Sequence, residues 1–331
     1  MRYPISGTPV PGVPEWRFHR TGIFKYVDEP FFLGADGTKI LRSNICNANY
    51  KYLYYALKNA RIPNTGYNRH FKWLKEIEIQ YPDEKTQNNI VSLLDKVLYV
   101  INLRKDELQK LDDLIRARFV EMFGDPIENP RGYYVATLQD LIEKGFITYH
   151  LDGNHGGDYP RSEEFVESGI PYISANCIVH GEIDFAKAKY LTPERAGKLR
   201  KGIAQNEDVL FAHNATVGPT VVLHTDEEKV ILGTSLTAYR CNQEEIMPNY
   251  LKAYMMSNGF VRQYSSEMKQ TTRNQVPITA QKKYQFLIPP IEEQKQFTDF
   301  VNQIDKSKAT VQKALDETQL LFDSLMQQYF G

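Results

Sequence analysis

Apolar residues along the chain fall into two long helical stripes. Between Asp83 and Gly124, Ile90, Leu94, Val97, Ile101, Leu108, Leu111 and Ile115 recur at spacings of three, four or seven. That period predicts one long helix with a buried face. Gly and Pro are absent until Gly124-Asp125-Pro126, a stop signal. A rod of roughly 40 residues at about 1.5 Å per residue is about 60 Å long. One small core cannot bury such a stripe, so a partner helix is expected. The C-terminal stretch supplies it: adding 207 takes Gln87 to Gln294, Ile90 to Phe297, Val97 to Ile304, Leu108 to Leu315, Leu114 to Leu321, Phe123 to Phe330 and Gly124 to Gly331. An ungapped match over some forty positions, turn residues included, reads as a duplication rather than two unrelated amphipathic helices.

The remaining pattern is shorter in period. Residues 1–20 are Pro-rich and read as an irregular lead-in. Residues 21–42 read as short strands and residues 48–60 as a Tyr-rich helix, followed by a loop, a short helix and a strand before Pro82. DPIENPRG at 125–132 is a linker. From Tyr133, ATLQDLIEKG predicts a helix, HLDGNHGGDYP a loop, and IPYISA, DVLFAH, TVVLHT, VILGTSLTAYR and YQFLIPP predict strands. Helix PNYLKAYMMSN and loop KQTTRNQVPITAQ precede the last strand, and the whole suggests a compact α+β domain. The duplication reaches here too. Leu33-Gly34 matches Leu232-Gly233, Arg42 matches Arg240, Tyr52-Leu53 matches Tyr250-Leu251, and Thr65 to Arg69 resembles Thr271 to Asn274, with Gly22 opposite Gly218. The first copy therefore lacks a counterpart for roughly residues 133–215.

Composition narrows the function classes. At 331 residues the chain holds two or three domains, and its net charge of −1 gives no global sign of a nucleic-acid partner. Local patches matter more than the total. No run of eighteen apolar residues exists and the N-terminus lacks a signal-peptide core, so a cytoplasmic protein without membrane contact is expected. Cys46, Cys177 and Cys241 are scattered, suit a reducing compartment, and read as small buried apolar residues.

No catalytic motif stands out. There is no P-loop, and Asn129-Pro130-Arg131 is not an adenine-methyltransferase motif. Pro82-Asp83-Glu84-Lys85 resembles a nuclease motif only superficially, because acidic residues at a helix start favour the dipole. His150, Asp152 and His155 read as a metal site or as polar loop residues, the second being preferred.

Several segments carry a family pattern. Ile288-Pro289-Pro290-Ile291-Glu292-Glu293-Gln294 forms a strand-to-helix junction, and Phe119 to Pro126 a helix end. Between them, Gly169 to Ser174, Gly181 to Asp184, Asp208 to Phe211 and Thr216 to Gly218 follow in order. In these features, from Thr21 to Gly331, the chain resembles the specificity subunit of type I restriction–modification systems. Two departures stand out. The first junction, Ile79 to Gln87, keeps only Pro82 and Gln87 well, and the first recognition domain lacks its N-terminal half. The resemblance implies an α+β chain whose globular α/β target-recognition domains are joined by two long helices packed as an antiparallel coiled coil. It implies a lead-in at 1–20, a partial first recognition domain at 21–82, a spacer helix at 83–124, a linker at 125–132, a complete second domain at 133–289 and a second spacer helix at 290–331. It further implies a non-catalytic DNA specificity subunit. Double-stranded DNA, methyltransferase subunits and a restriction (translocase/endonuclease) subunit are then its partners. S-adenosylmethionine, ATP and Mg2+ would belong to those partners and no cofactor to this chain. The alternative is a truncated or recombination-derived scaffold with little sequence selectivity, for which self-association of two chains is an option.

A DNA reader needs polar loops that reach base edges, with basic residues on phosphates. Four stretches qualify. They are Tyr149 to Tyr159 with His150, Asn154, His155 and Tyr159; Ser174 to Asn176 with Ser174 and Asn176; His213 to Thr216 with His213, Asn214 and Thr216; and Lys269 to Gln275 with Lys269, Gln270, Thr271, Arg273 and Asn274. Each also reads as an ordinary surface turn. Arg195, Lys198, Arg200 and Lys201 form a basic cluster that contacts phosphate or is a solvated helix face. In the first copy, Arg42, Lys51, Lys58, Arg61, Arg69, Lys72 and Lys75 outnumber Glu76 and Glu78, a local positive excess in which Arg69 is the candidate DNA contact. Tyr50, Tyr52, Tyr54 and Tyr55 can stack on bases, although packing is the preferred reading.

Overall fold

The computed structural model describes residues 15–18, 24–27, 39–60, 71–74, 76–154, 158–268 and 274–331. The chain divides into two compact units, one of Met1–Gln109 with Lys308–Gly331 and one of Lys110–Ser307. Two helices of 40 residues, Glu84–Phe123 and Ile291–Phe330, follow from the apolar period. Each unit holds the first part of one long helix and the last part of the other. Asp83 caps the first of them: its carboxylate accepts from the Thr86 backbone N–H at 3.0 Å and the Thr86 hydroxyl at 2.6 Å. These bonds hold its carboxyl below the usual range. The acidic run that resembles a nuclease motif is therefore a helix cap. Gly124, at φ +78°, ends the helix with its N–H on the Val120 carbonyl at 2.8 Å.

In the first unit, β1 (Glu15–Phe18), β2 (Phe24–Val27) and β3 (Lys39–Leu41) form an antiparallel sheet of order β2-β1-β3. β1 lies in the stretch expected to be irregular. Helix Tyr50–Asn59 is capped by Asn49, whose side chain accepts from Tyr52 N–H. It buries Tyr52, Leu53, Tyr55 and Leu57 against Ile90, Leu94, Val97 and Ile101 of one long helix and Leu315, Phe322 and Met326 of the other. Burying such side chains stabilises a core by roughly 1.5–3 kcal/mol each. Tyr52 and Tyr55 are packing residues, each 1% exposed. Tyr55 and Lys51 both donate to the Asp95 carboxylate, at 2.6 and 2.5 Å. The Lys58 ammonium lies over the Phe322 ring at 5.2 Å, and burial pulls its pKa down. Two members of the basic group are thus engaged inside the unit. Cys46 is exposed, against expectation, whereas Cys177 is buried.

The second unit carries β4 (Tyr134–Thr137), β5 (Ile147–Asp152), β6 (Phe165–Val166), β7 (Ile170–Ile173), β8 (Ile178–Val179), β9 (Glu182–Ile183) and β10 (Lys189–Leu191). β11 (Ile203–Ala204), β12 (Val209–Ala212), β13 (Thr220–Val222), β14 (Val230–Leu232), β15 (Leu236–Cys241) and β16 (Gln285–Ile288) follow. A five-stranded sheet runs β11-β14-β7-β10-β6, with only β14 and β7 parallel. A four-stranded antiparallel sheet runs β13-β12-β15-β5, and β16-β4 and β8-β9 are two-stranded ribbons. Helices Leu138–Glu143, Pro248–Met256 and Asn258–Met268 add to a core in which Phe119, Phe123 and Phe297 of the long helices meet Tyr250, Phe260 and Phe286. Arg240 forms a two-pronged ion pair with fully buried Asp208, at 2.8 Å on both prongs, and its guanidinium stacks over Tyr149.

The repeat carries over from residues to contacts, at an offset of 207 from Gln80 onward and of 198 for Lys51 and Tyr52. The Gln87 amide donates to the Pro82 carbonyl at 2.7 Å, and Gln294 to Pro289 at 2.8 Å. The Tyr52 hydroxyl donates to the Gln80 carbonyl and Tyr250 to Leu287, both at 2.8 Å. Lys51 meets Asp95 where Asn249 meets Asn302. A terminal phenylalanine packs on each tyrosine: Phe330 on Tyr52 at 5.3 Å, Phe123 on Tyr250 at 4.9 Å. One lock recurs in each unit, which favours duplication over two unrelated helices. The strand expected before Pro82 does not form: among the described residues 78–81 has no partner strand. Its equivalent, β16, pairs with β4.

Candidate nucleic-acid interface

The pattern VILGTSLTAYR reads as one strand, but the chain breaks at Gly233-Thr234-Ser235 between β14 and β15. Close approach of other segments forces the break. Gly233 donates its N–H to the Ile173 carbonyl at 2.7 Å, and a Cβ there would sit 2.4 Å from Ser174 Oγ. A Cβ on Gly153 would lie 2.3 Å from the Gly233 carbonyl oxygen. Backbone blocks any Cβ at Gly153, and at Gly233 the Ser174 hydroxyl would have to move for one.

Parts of three candidate stretches meet around this turn, and the fourth joins through one of them. Gly153 N–H donates to the Leu236 carbonyl at 3.3 Å. Ala175 N–H donates to Ser235 Oγ at 2.9 Å, and His213 N–H to the Ser235 carbonyl at 3.0 Å. The turn at 213–216 is knitted in its turn to 274–276: Val276 N–H donates to the His213 carbonyl, Ala215 N–H to the Asn274 carbonyl, and Asn214 bridges Gln275. Ala215 holds a left-handed φ of +65° at the tip. Asn176, Thr216, Asn274 and Tyr159 are exposed, while Ser174 and Asn214 are half-buried. His155, Lys269, Gln270, Thr271, Arg273 and Arg69 lie outside the described residues.

Three of the expected polar groups face inward instead. Asn154 is 2% exposed and donates to the Lys201 carbonyl at 2.6 Å. His213 is 1% exposed, with Nδ1 on the Val276 carbonyl at 3.1 Å. His150 is buried against the Tyr239 ring, with Nε2 on Gln281 Oε1 at 3.1 Å. Gln281 Oε1 only accepts, so Nε2 carries the proton and buried Nδ1 has no partner. Burial pushes the His150 imidazole down to about 4, more than the Gln281 bond raises it. In this conformation a base edge cannot reach these three side chains; they support the loops.

Sequence reasoning missed Ser235 and Gln281. A glycine inside an apolar strand pattern was the available signal for the first. Nothing distinguishes Gln281 from an ordinary solvent-facing helix residue. Within the basic cluster, Arg195 is held by Glu164 at 2.6 Å and by the Asp158 carbonyl, and Lys198 pairs with Glu194. Arg200 and Lys201 are exposed and form no ion pair among the described residues. The bond from Asn154 sets Lys201 beside the first loop. Among the described residues no group of three or more His, Cys, Asp or Glu is placed to hold a metal ion, and no helix is long and apolar enough to cross a membrane.

Comparison with known proteins bears on this arrangement. The family model of the type I restriction modification DNA specificity domain, Methylase_S, matches residues 15–113 and 130–318. The chain belongs to the Methylase_S family. A putative type I restriction enzyme MjaX specificity subunit from Methanocaldococcus jannaschii is 24% identical over 210 residues, 61% of this chain and 46% of that protein. This Methylase_S chain thus spans about half the length of the curated relative it matches. Among solved structures, the type I restriction-modification system S subunit from M. genitalium aligns with a TM-score of 0.53 at 17% identity, over 96% of this chain and 83% of that one. A chain from a structure on complex assembly and conformational transition of the type I R-M system gives 0.50 at 18% identity, over 96% and 81%. At such identity these two likenesses speak for the Methylase_S fold alone.

Proposed function

We propose that this chain is the non-catalytic DNA specificity subunit of a type I restriction–modification complex in the cytoplasm. The domain at 133–289 reads a short half-site in duplex DNA through the loops gathered on Gly233-Thr234-Ser235. Asn176, Asn214, Thr216 and Asn274 contact bases, with Lys201 on a phosphate. The long helices form an antiparallel coiled coil that sets spacing and docks methyltransferase subunits. Methylation and ATP-driven cleavage, with S-adenosylmethionine, ATP and Mg2+, belong to the methyltransferase and restriction subunits. The observation that carries this reading is the linking of four polar stretches, three on one turn and the fourth on the 213–216 turn beside it, in a chain of the specificity-domain family.

The test is a gel shift of the chain co-purified with its methyltransferase, at physiological salt, with competitor duplexes of scrambled sequence. Selective binding to one sequence supports the reading. Sequence-independent binding contradicts it and favours a scaffold with little selectivity.

A further inference from the structure

A buried polar hub lies beneath the two most tightly knitted loops. Gln281, the last residue of helix Ile278–Gln281, is fully buried. Its Oε1 accepts from the Tyr239 hydroxyl at 2.5 Å and from His150 Nε2 at 3.1 Å. Its Nε2 donates to Thr237 Oγ1 at 3.2 Å and to the Val276 carbonyl at 3.3 Å. The amide orientation is forced, because a carbonyl can only accept, so the nitrogen must face Val276. One planar head therefore bonds β5, β15 and the 274–276 segment together. Val276 is the other half of the device. Its carbonyl takes both Gln281 Nε2 and His213 Nδ1, and its N–H returns to the His213 carbonyl. Within two residues of this lock sit Asn274, Gln275 and Asn214.

We propose that Gln281 is a positioning residue for sequence discrimination: it fixes the 274–276 segment, and through it the 213–216 turn, against the four-stranded sheet. This rests on the DNA-reading function proposed above. Gln281 touches no base. Its role is to remove slack from the loops that do, since a polar contact discriminates only when held to within a fraction of an ångström. The two ends of the amide do different work. The oxygen end ties Gln281 to the strands alone, whereas the nitrogen end is the one that reaches the loop, at the Val276 carbonyl, beside its bond to Thr237 of β15.

That division gives the test. The full complex with its methyltransferase is used to select sequences from a random duplex pool, for the wild type, Gln281→Glu and Tyr239→Phe. Gln281→Glu keeps an oxygen for Tyr239 and His150 but cannot keep both donors: a neutral carboxyl has a single O–H, and a carboxylate turns a second oxygen on the Val276 carbonyl. Tyr239→Phe removes one bond at the oxygen end only. Discrimination of the selected sequence over a single mismatch is expected to fall about tenfold in Gln281→Glu. It should stay within about twofold of wild type in Tyr239→Phe, although both variants melt earlier. Amide exchange at Val276 and Ala215 should quicken in Gln281→Glu alone. Gln281→Met, which has no donor at all, is selected alongside it with the same expectation. Wild-type discrimination in both glutamine variants overturns the proposal. So does a loss in Tyr239→Phe matching that in Gln281→Glu, since discrimination would then simply follow stability. A wild-type complex that selects no sequence overturns the DNA-reading function itself, and the proposal with it.

Discussion

His150 offers a quantitative check on the buried network. Its imidazole is neutral in the fold, with Nε2–H on Gln281 and Nδ1 enclosed without an acceptor. Protonation would place a charge and an unsatisfied N–H in the core. The pKa falls from 6.5 to about 4, with burial as the main cause. Such a depression corresponds to about 3 kcal/mol between the two protonation states. The sign follows from which state binds the proton first. Between pH 6.5 and about 4 the unfolded chain is protonated at this site and the folded chain is not. Stability therefore falls as pH falls through that window, is flat above it, and levels off below about 4. By about pH 4.5 the loss from this one residue reaches about 2.5 kcal/mol. Urea unfolding followed by circular dichroism at both ends of the window, for the wild type and His150→Gln, isolates the contribution. Both tryptophans, Trp16 and Trp73, lie in the first unit, so their fluorescence would miss the second. The wild type should lose about 2.5 kcal/mol more than His150→Gln over that range. Parallel losses, or a histidine resonance titrating near 6.5 with no lower one, would refute the reasoning.

The repeated glutamine lock predicts that Gln87→Leu and Gln294→Leu each destabilise their own unit by about 1–3 kcal/mol, read by hydrogen exchange. Gln294→Leu should cost more, because Gln294 also bonds Met247 N–H and the Glu245 carbonyl. Arg240→Met should destabilise the second unit by about 3–5 kcal/mol in urea unfolding, since it strands a fully buried Asp208 carboxylate. A cost below about 1 kcal/mol would mean that the pair is solvated. Lys201→Ala should lower the slope of log affinity against log salt by about 1 without changing the preferred sequence. Asn274→Ala should instead relax preference at one position by about 1–3 kcal/mol and leave the salt slope alone, measured by competition gel shift.

The long helices were legible because their apolar period is long and uninterrupted, and the duplication because it needs no gaps along them. The Tyr52 and Tyr250 locks then follow from the repeat, although no spacing rule alone would have paired Tyr52 with the Gln80 carbonyl. The missing strand at 78–81 shows the opposite limit. Its residues alternate like a strand, but a strand needs a neighbour, and local pattern does not report one. The candidate loops were legible as polar Gly- and Asn-rich stretches. Which of their side chains face out was not. His150, Asn154 and His213 look like Asn176 and Asn274 in sequence, yet the first three are enclosed by backbone carbonyls and Gln281 that come from distant segments. Ser235 and Gln281 acquire their roles only from such long-range contacts.

The most direct test of the account is to map methylated bases in cells that carry the methyltransferase with this chain, without it, and with residues 133–289 replaced by the same region of another family member. The account predicts one methylated motif that disappears without the chain and changes at one half-site, with spacing preserved, in the replacement. A motif that persists without the chain, or that ignores the replacement, would contradict it.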